Sequence, residues 1–258
     1  MTITKIEWCG ETNNACRGCL HGCAFCYARK LCRRLPMMKA GVWLKKQGIP
    51  YRHLPQKERL EMYRKTPVWC EDCYNFRVHF HPEELNRITP QDKPKKIFMD
   101  SLWDWNANAV KDEWLQAILA KMAEYPQHTF MILSRRPDRY GRFQYPPNVW
   151  LGTSISKTED RCRIQDLGDL KSNNLRFLSI EPLHEAIDLA SWFRWIDWII
   201  LGAETGHRKG KIRPEKEWIE AIIRNCREEG IPLFIKDNVA WEEKVREYPK
   251  EFGRRGPC

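Results

Sequence analysis

Cys19, Cys23 and Cys26 stand in the run Cys19-Leu20-His21-Gly22-Cys23-Ala24-Phe25-Cys26-Tyr27, a C-x3-C-x2-C spacing near the N-terminus. Three thiolates this close can converge on one metal centre. Three rather than four leave one coordination position of a 4Fe–4S cluster open, and an iron with an open position can bind a substrate or cofactor. The spacing therefore reads as catalytic. The competing reading is a zinc knuckle or a loop of reduced thiols, although zinc more often pairs two short C-x2-C knuckles.

The chain holds eleven cysteines, so thiols remain for a second centre. Cys70-Glu71-Asp72-Cys73 is a C-x2-C knuckle, and Cys9 and Cys16 flank the first loop. These two pairs make a candidate four-ligand site for zinc or a second iron–sulfur cluster. His79 and His81 lie near, but are read as pointing to opposite faces of a predicted strand and are left out of the site. Cys32, Cys162, Cys226 and Cys258 show no ligand spacing.

The elements that must position these groups follow a rhythm. Strands are predicted at 2–8, 76–80, 96–99, 129–133, 149–152, 176–180, 198–201 and 232–235. Helical patterns fall at 24–35, 111–124, 157–167, 186–193 and 214–228, the first ended by Pro36. Residues 39–75 are polar and basic and read as an insertion. Continuous apolar strands alternating with helices predict a parallel sheet covered by helices. The fold class expected is α/β: a parallel β/α (TIM-like) barrel, partial or complete, forming one domain over 1–258 with the cysteine-containing insertion after the cluster loop. Almost every predicted strand ends in polar groups: Asp100-Ser101, Ser134-Arg135-Arg136, Thr153-Ser154, Glu181, Glu204 and Lys236-Asp237. In a parallel barrel these ends share one mouth.

Composition sets the outer bounds. No apolar run approaches the roughly 20 residues of a membrane span. The start Met1-Thr2-Ile3-Thr4 shows no signal segment, so a cytoplasmic protein is expected. Net charge is +10, from 44 Lys and Arg against 34 Asp and Glu. That surplus favours an anionic partner, nucleic acid above all. It reads as spread along the chain, with modest clusters at Arg29-Lys30-Arg33-Arg34, Arg135-Arg136-Arg139 and Arg254-Arg255.

The motif Cys19, Cys23, Phe25, Cys26 resembles the signature of the radical SAM superfamily, C-x3-C-x-aromatic-C. A closer resemblance is to a phage-associated group of radical SAM-like proteins with an N-terminal three-cysteine motif. It is carried by Ile6-Glu7-Trp8-Cys9, Thr12, Asn14, Gly18-Cys19 and Gly22-Cys23-Ala24-Phe25-Cys26-Tyr27-Ala28. It continues through Lys96-Ile97-Phe98-Met99-Asp100-Ser101, Leu133-Ser134-Arg135-Arg136-Pro137, Asn148-Val149-Trp150-Leu151-Gly152-Thr153-Ser154, Ser179-Ile180-Glu181-Pro182-Leu183 and Ile200-Leu201-Gly202-Ala203-Glu204-Thr205-Gly206. This chain departs from the group in a shorter gap between its first two motif cysteines and in Asp104-Trp105-Asn106.

The resemblance implies that Cys19, Cys23 and Cys26 hold a 4Fe–4S cluster whose open iron chelates S-adenosyl-L-methionine. One electron, from a donor such as flavodoxin or ferredoxin, then cleaves that cofactor to a 5′-deoxyadenosyl radical that abstracts hydrogen from a substrate. Phe25 and Tyr27 are expected to shield the cluster or contact adenine. Asp100, Ser101 and Glu181 are candidates for the cofactor ammonium, and Arg135 and Arg136 for its carboxylate. Thr153 and Ser154 suit ribose or carboxylate oxygens. Glu204 and Lys236 are expected to face the substrate as catalytic groups, or else to form a buried ion pair. A nucleic acid base or nucleotide is the expected substrate. The alternatives are a peptide or small molecule, and a non-enzymatic metal-stabilised nucleic-acid-binding module.

Overall fold

The computed structural model describes residues 2–90, 93–206 and 208–250, so Cys258 and the Arg254-Arg255 pair lie outside the described residues. The chain forms strands β1 (Thr2–Ile3), β2 (Glu11–Thr12) and β3 (Cys16–Arg17), then helices α1 (Tyr27–Lys46), α2 (Gln56–Arg64) and α3 (Glu71–Asn75), then β4 (His79–Phe80). There follow β5 (Lys96–Phe98), α4 (Asp112–Ala123), β6 (Thr129–Ser134), β7 (Val149–Ile155), α5 (Cys162–Gly168), β8 (Arg176–Ile180), β9 (Trp198–Leu201), α6 (Lys216–Glu228) and β10 (Leu233–Ile235).

Eight strands form one sheet in the order β1-β2-β5-β6-β7-β8-β9-β10. Every pair from β2 to β10 is parallel, and β1 joins β2 antiparallel. Successive strand side chains alternate between faces. One face sends Ile97, Phe130, Ile132, Leu151, Leu178, Ile199 and Leu233 into the main core, with Leu115 and Ile118 of α4, Ile164 of α5 and Ile219 and Ile222 of α6. The other face presents Phe98, Met131, Trp150, Phe177, Trp198, Ile200 and Phe234 around Trp8. In a flat sheet β5 and β9 would stand about 19 Å apart. The Trp8 ring nonetheless lies 4.7 Å from Phe98 on β5 and 6.3 Å from Trp198 on β9. The parallel sheet is therefore curled, an open half-barrel wrapped around this aromatic cluster.

Several predicted elements shift. The strand expected at 2–8 is only β1, and the first parallel strand is β2, too short to give a periodic signal. The segment expected to be a strand at 76–80 is extended only at β4, because Phe76 ends α3 in the left-handed region with φ of 57°. No helix forms over 186–193; that segment is irregular up to a 3-10 turn at Phe193–Trp195. Most consequentially, Pro36 does not end the first helix. The helix runs through it to Lys46, with Pro36 itself buried. Proline removes one backbone donor and strains one turn. Here the buried positions Ala28, Cys32, Pro36, Ala40 and Leu44, each four residues after the last, hold the helix together across it by packing one continuous face.

Residues 39–75 thus comprise the last eight residues of α1 and the whole of α2 and α3. A small separate cluster, Ala28, Cys32, Cys73, Phe76 and Leu102, joins α1 to α3. Strands β3 and β4 pair antiparallel beside it, Cys16 with Phe80 and Arg17 with His79.

Candidate metal centres and the mouth of the sheet

At the C-terminal ends of the parallel strands, polar side chains follow the aromatic layer. Ser154 lies opposite Ser179 in register, and the β8 and β10 strands run on into Glu181 and Lys236. Lys236 reaches over the end of β9 to pair with Glu181. Gly202 lies beneath this bridge: a Cβ there would fall 2.9 Å from the Glu181 side chain and 3.1 Å from that of Lys236. Ser154 Oγ donates to the Glu181 carbonyl at 3.4 Å. Glu181, Lys236 and Ser154 therefore come together as expected.

Other expected mouth residues are engaged elsewhere. Thr153 alternates with Ser154, is fully buried, and donates to the Ser134 carbonyl at 2.9 Å. Arg136 turns away to Asp138 and Asn108. Both Asp100 carboxylate oxygens accept from the Leu133 amide, at 3.1 and 2.9 Å. Burial, with Asp104 nearby, raises the Asp100 pKa well above the usual carboxylate range. Ser101 exchanges hydrogen bonds with the Asn14 amide. Glu204 does not meet Lys236; it takes a two-bond guanidinium contact from Arg208 at 2.7 and 2.6 Å and lies 3.5 Å from His184. Arg208 foremost holds the Glu204 pKa below its ordinary value. The Glu204–Lys236 ion pair offered as the alternative does not form: Glu204 pairs with Arg208 and Lys236 with Glu181.

The cysteine loop leans on this mouth. Arg135 Nη1 donates to Cys23 Sγ at 2.9 Å. His21 Nε2 lies 3.0 Å from Asp104 Oδ2, and Asp104 also accepts from Ser134 Oγ and the Arg135 amide. Tyr27 donates its hydroxyl to the Ser101 carbonyl at 2.8 Å, and Phe25 meets the His184 ring edge-on at 5.4 Å. Cys26 caps α1, its sulfur accepting from the Arg29 amide. All three cysteines are half-buried and unbridged. Burial pushes the Cys19 thiol up to about 11, with Asp104, Cys23 and Cys26 adding to it. Such thiols ionise readily only when a cation binds them.

A second set of ligands converges beneath α1. Cys70, Cys73, His79 and His81 place their four ligand atoms within 4.8 Å of one another and can hold a metal ion. This corrects the ligand set expected from sequence. Cys9 packs in the aromatic cluster under the sheet and Cys16 in the main core. Cys16 precedes Arg17 on β3, so only one of the two side chains can face the site, and Arg17 does: its Nη1 donates to Cys73 Sγ at 3.3 Å. Residues two apart on an extended chain point the same way, so His79 and His81 share a face. That rule is the available signal, and the opposite-face reading misapplies it. Cys32 on α1, which spacing does not single out, bonds Cys73 through its S–H. This bond above all, with those from His79, His81 and Arg17, draws the Cys73 thiol far below its ordinary pKa.

Among the described residues, no helix is long and apolar enough to cross a membrane. No curated protein and no solved structure shows a match to the chain. The model of the family described as "Protein of unknown function (DUF5131)" matches residues 3–256, nearly the whole sequence, and the chain belongs to that family.

Proposed function

We propose that this protein is a radical SAM enzyme, with a partial β/α barrel as its scaffold and a nucleic acid base or nucleotide as its substrate. The observation that carries the reading is the seating of the Cys19–Cys26 loop on the strand ends, fastened by the Arg135–Cys23 and His21–Asp104 contacts. The donor set fits a 4Fe–4S cluster. Three thiols stand on one loop, and a guanidinium beside Cys23 suits a thiolate in a cluster of net negative charge. Four irons need ligands further apart than one ion does, in keeping with these sulfurs not sharing the close packing of the second site. The chemistry such a cluster and S-adenosyl-L-methionine supply when bound is one-electron cleavage to a hydrogen-abstracting radical, the electron coming from a flavodoxin- or ferredoxin-class donor.

The chain's own residues do the rest. Cys19, Cys23 and Cys26 would hold the cluster. Glu181, whose carboxylate is met by Lys236, suits an ammonium, and Arg135 suits a carboxylate. Lys236 pairs with Glu181 and holds it in place until an ammonium competes for it. Tyr27 and Phe25 flank the loop, the first held by the Ser101 carbonyl and the second by the His184 ring.

Charge supports the substrate class. The surplus is not spread along the chain. Residues 27–65 hold twelve Lys and Arg against two acidic residues, and the remainder holds 32 of each, so this segment carries the whole +10. Reading Pro36 as a helix end cuts that block in two. On α1 all seven basic residues are exposed and none is acidic. A cleft of about 440 Å³ between α1 and α2 is lined by Arg34, Lys45, Arg52 and Arg59 with Tyr51, Tyr63 and Tyr74. Basic side chains interleaved with tyrosines suit a phosphate backbone with stacked bases.

The test is anaerobic reconstitution with iron and sulfide, followed by reduction in the presence of S-adenosyl-L-methionine. Wild-type protein should turn brown and release 5′-deoxyadenosine. Cys23→Ala should do neither; undiminished cleavage by that variant would overturn the assignment.

A further inference from the structure

We propose that Cys70, Cys73, His79 and His81 hold one structural zinc ion, and that this ion fixes the backbone on which the Cys19 loop rests.

The geometry supports a tetrahedral site. Bonds of about 2.3 Å to thiolate and about 2.0–2.1 Å to imidazole put each sulfur–nitrogen edge of such a site at about 3.5 Å. The four sulfur–nitrogen distances are 3.4, 3.8, 3.2 and 3.3 Å. The histidine tautomers are set from outside. His79 Nδ1 lies 2.8 Å from the Arg77 carbonyl, and His81 Nδ1 lies 2.7 Å from a Glu83 carboxylate oxygen. Both partners only accept, so both Nδ1 atoms carry the proton and both Nε2 lone pairs aim inward. The two Nε2 atoms then face each other at 2.8 Å, a repulsive arrangement unless a cation lies between them. Carbonyl or carboxylate support behind the ligating ring is the arrangement that metal-bound histidines use.

The donor set selects the ion. Two thiolates and two imidazoles supply all four positions of a tetrahedral ion and suit zinc in a closed site, in which the ion stabilises structure and is not a catalyst. The Cys73 amide donates to Cys70 Sγ at 3.4 Å and the Arg17 guanidinium to Cys73 Sγ at 3.3 Å. These donors spread the charge of the two thiolates that hold the ion.

The consequence for the first loop runs through Gly18. Its φ is +88°, and a Cβ there would collide with the Arg77 carbonyl oxygen at 2.1 Å. That carbonyl is the one that orients His79. Cys19 is the next residue after Gly18. The zinc ligand's support and the cluster loop's hinge are thus packed backbone to backbone. Segment 64–81 contributes only Cys73 and Phe76 to the small buried cluster it shares with Ala28, Cys32 and Leu102, and an ion supplies the order that burial alone supplies poorly there.

The zinc proposal stands apart from the radical SAM reading, and the experiment separates them. Full-length protein carrying Cys19→Ala, Cys23→Ala and Cys26→Ala should be isolated with one zinc per chain by elemental analysis. Replacing that zinc with cobalt(II) should give the intense visible bands of a tetrahedral ion and sulfur-to-cobalt charge transfer. Adding Cys70→Ser and His81→Ala should abolish both. Absence of zinc in the triple variant, octahedral cobalt without thiolate charge transfer, or full zinc in the five-fold variant would each overturn the proposal. If the five-fold variant does not fold, zinc content and the cobalt spectrum of the triple variant decide alone. Hydrogen exchange over residues 16–22 should quicken several-fold when a chelator strips the zinc; unchanged exchange would sink the coupling to the loop.

Discussion

Asp104 is the residue on which the candidate site turns. It is buried, yet it accepts from His21, Ser134 Oγ, the Arg135 amide and the Asn106 amide. Burial pushes its pKa up, but His21 first, then the Arg135 amide and Ser134, hold it below the ordinary aspartate value. A depressed carboxylate contributes stability that is fully present above its unfolded pKa and is lost as pH falls through the lower folded one. Asp104→Asn cannot accept from all four donors. At pH 7 it should cost about 1–3 kcal/mol, the usual penalty for stranding buried donors. The gap between variant and wild type should begin to narrow below about pH 4, where an unfolded aspartate protonates, and close only as pH falls through the lower folded value. Urea unfolding in steps from pH 7 down to about pH 2 follows the gap; an equal gap throughout would show that the charge on Asp104 contributes nothing.

At the scale of elements, the aromatic inner face decides the curl of the sheet. Gly152 on β7 is the point where the layer has no side chain of its own. A Cβ there would meet the Phe177 ring at 2.3 Å, a ring held between Trp8 and Trp198. Gly152→Ala must therefore push Phe177 off its place, and overpacking of this kind costs about 1–3 kcal/mol. The variant should show a lowered thermal midpoint and altered near-ultraviolet dichroism from the tryptophans. Unchanged spectra and midpoint would mean that the layer has slack. The C-terminal ends of these same strands carry Glu181 and Lys236, so the sheet's curl also sets the distance across the mouth.

For the whole molecule the decisive quantity is where the charge sits. The charge surplus lies in residues 27–65, so if a nucleic acid binds there, counterion release should make affinity fall steeply with salt. Reversing two exposed cleft residues, Arg34→Glu and Lys45→Glu, should weaken oligonucleotide binding by roughly tenfold or more at low salt. It should also lower the slope of log affinity against log salt by about 0.7–0.9 for each phosphate that the variant no longer neutralises. Filter binding or fluorescence anisotropy over a salt series reads both. Equal binding by wild type and variant would leave a peptide or small molecule as the better substrate class.

Local pattern determines much of this protein. The C-x3-C-x2-C loop, the C-x2-C knuckle and the parallel strands with polar ends are legible because each depends on spacing along a few residues. So is α6, whose apolar residues recur at helical intervals. The rest requires contacts between residues far apart in the chain. β2 is two residues long and exists only because β5 offers it a ladder. α1 crosses Pro36 because its buried face packs on α3, a gain that no local propensity records. Tertiary contact alone decides that Glu204 meets Arg208, that Arg135 meets Cys23, and that Cys70 and Cys73 meet two histidines and not Cys9 and Cys16. Thiols and imidazoles ligate whatever the fold brings within reach, so sequence can name the candidate ligands but only the packing of β3 on β4 and α1 on α3 can choose among them.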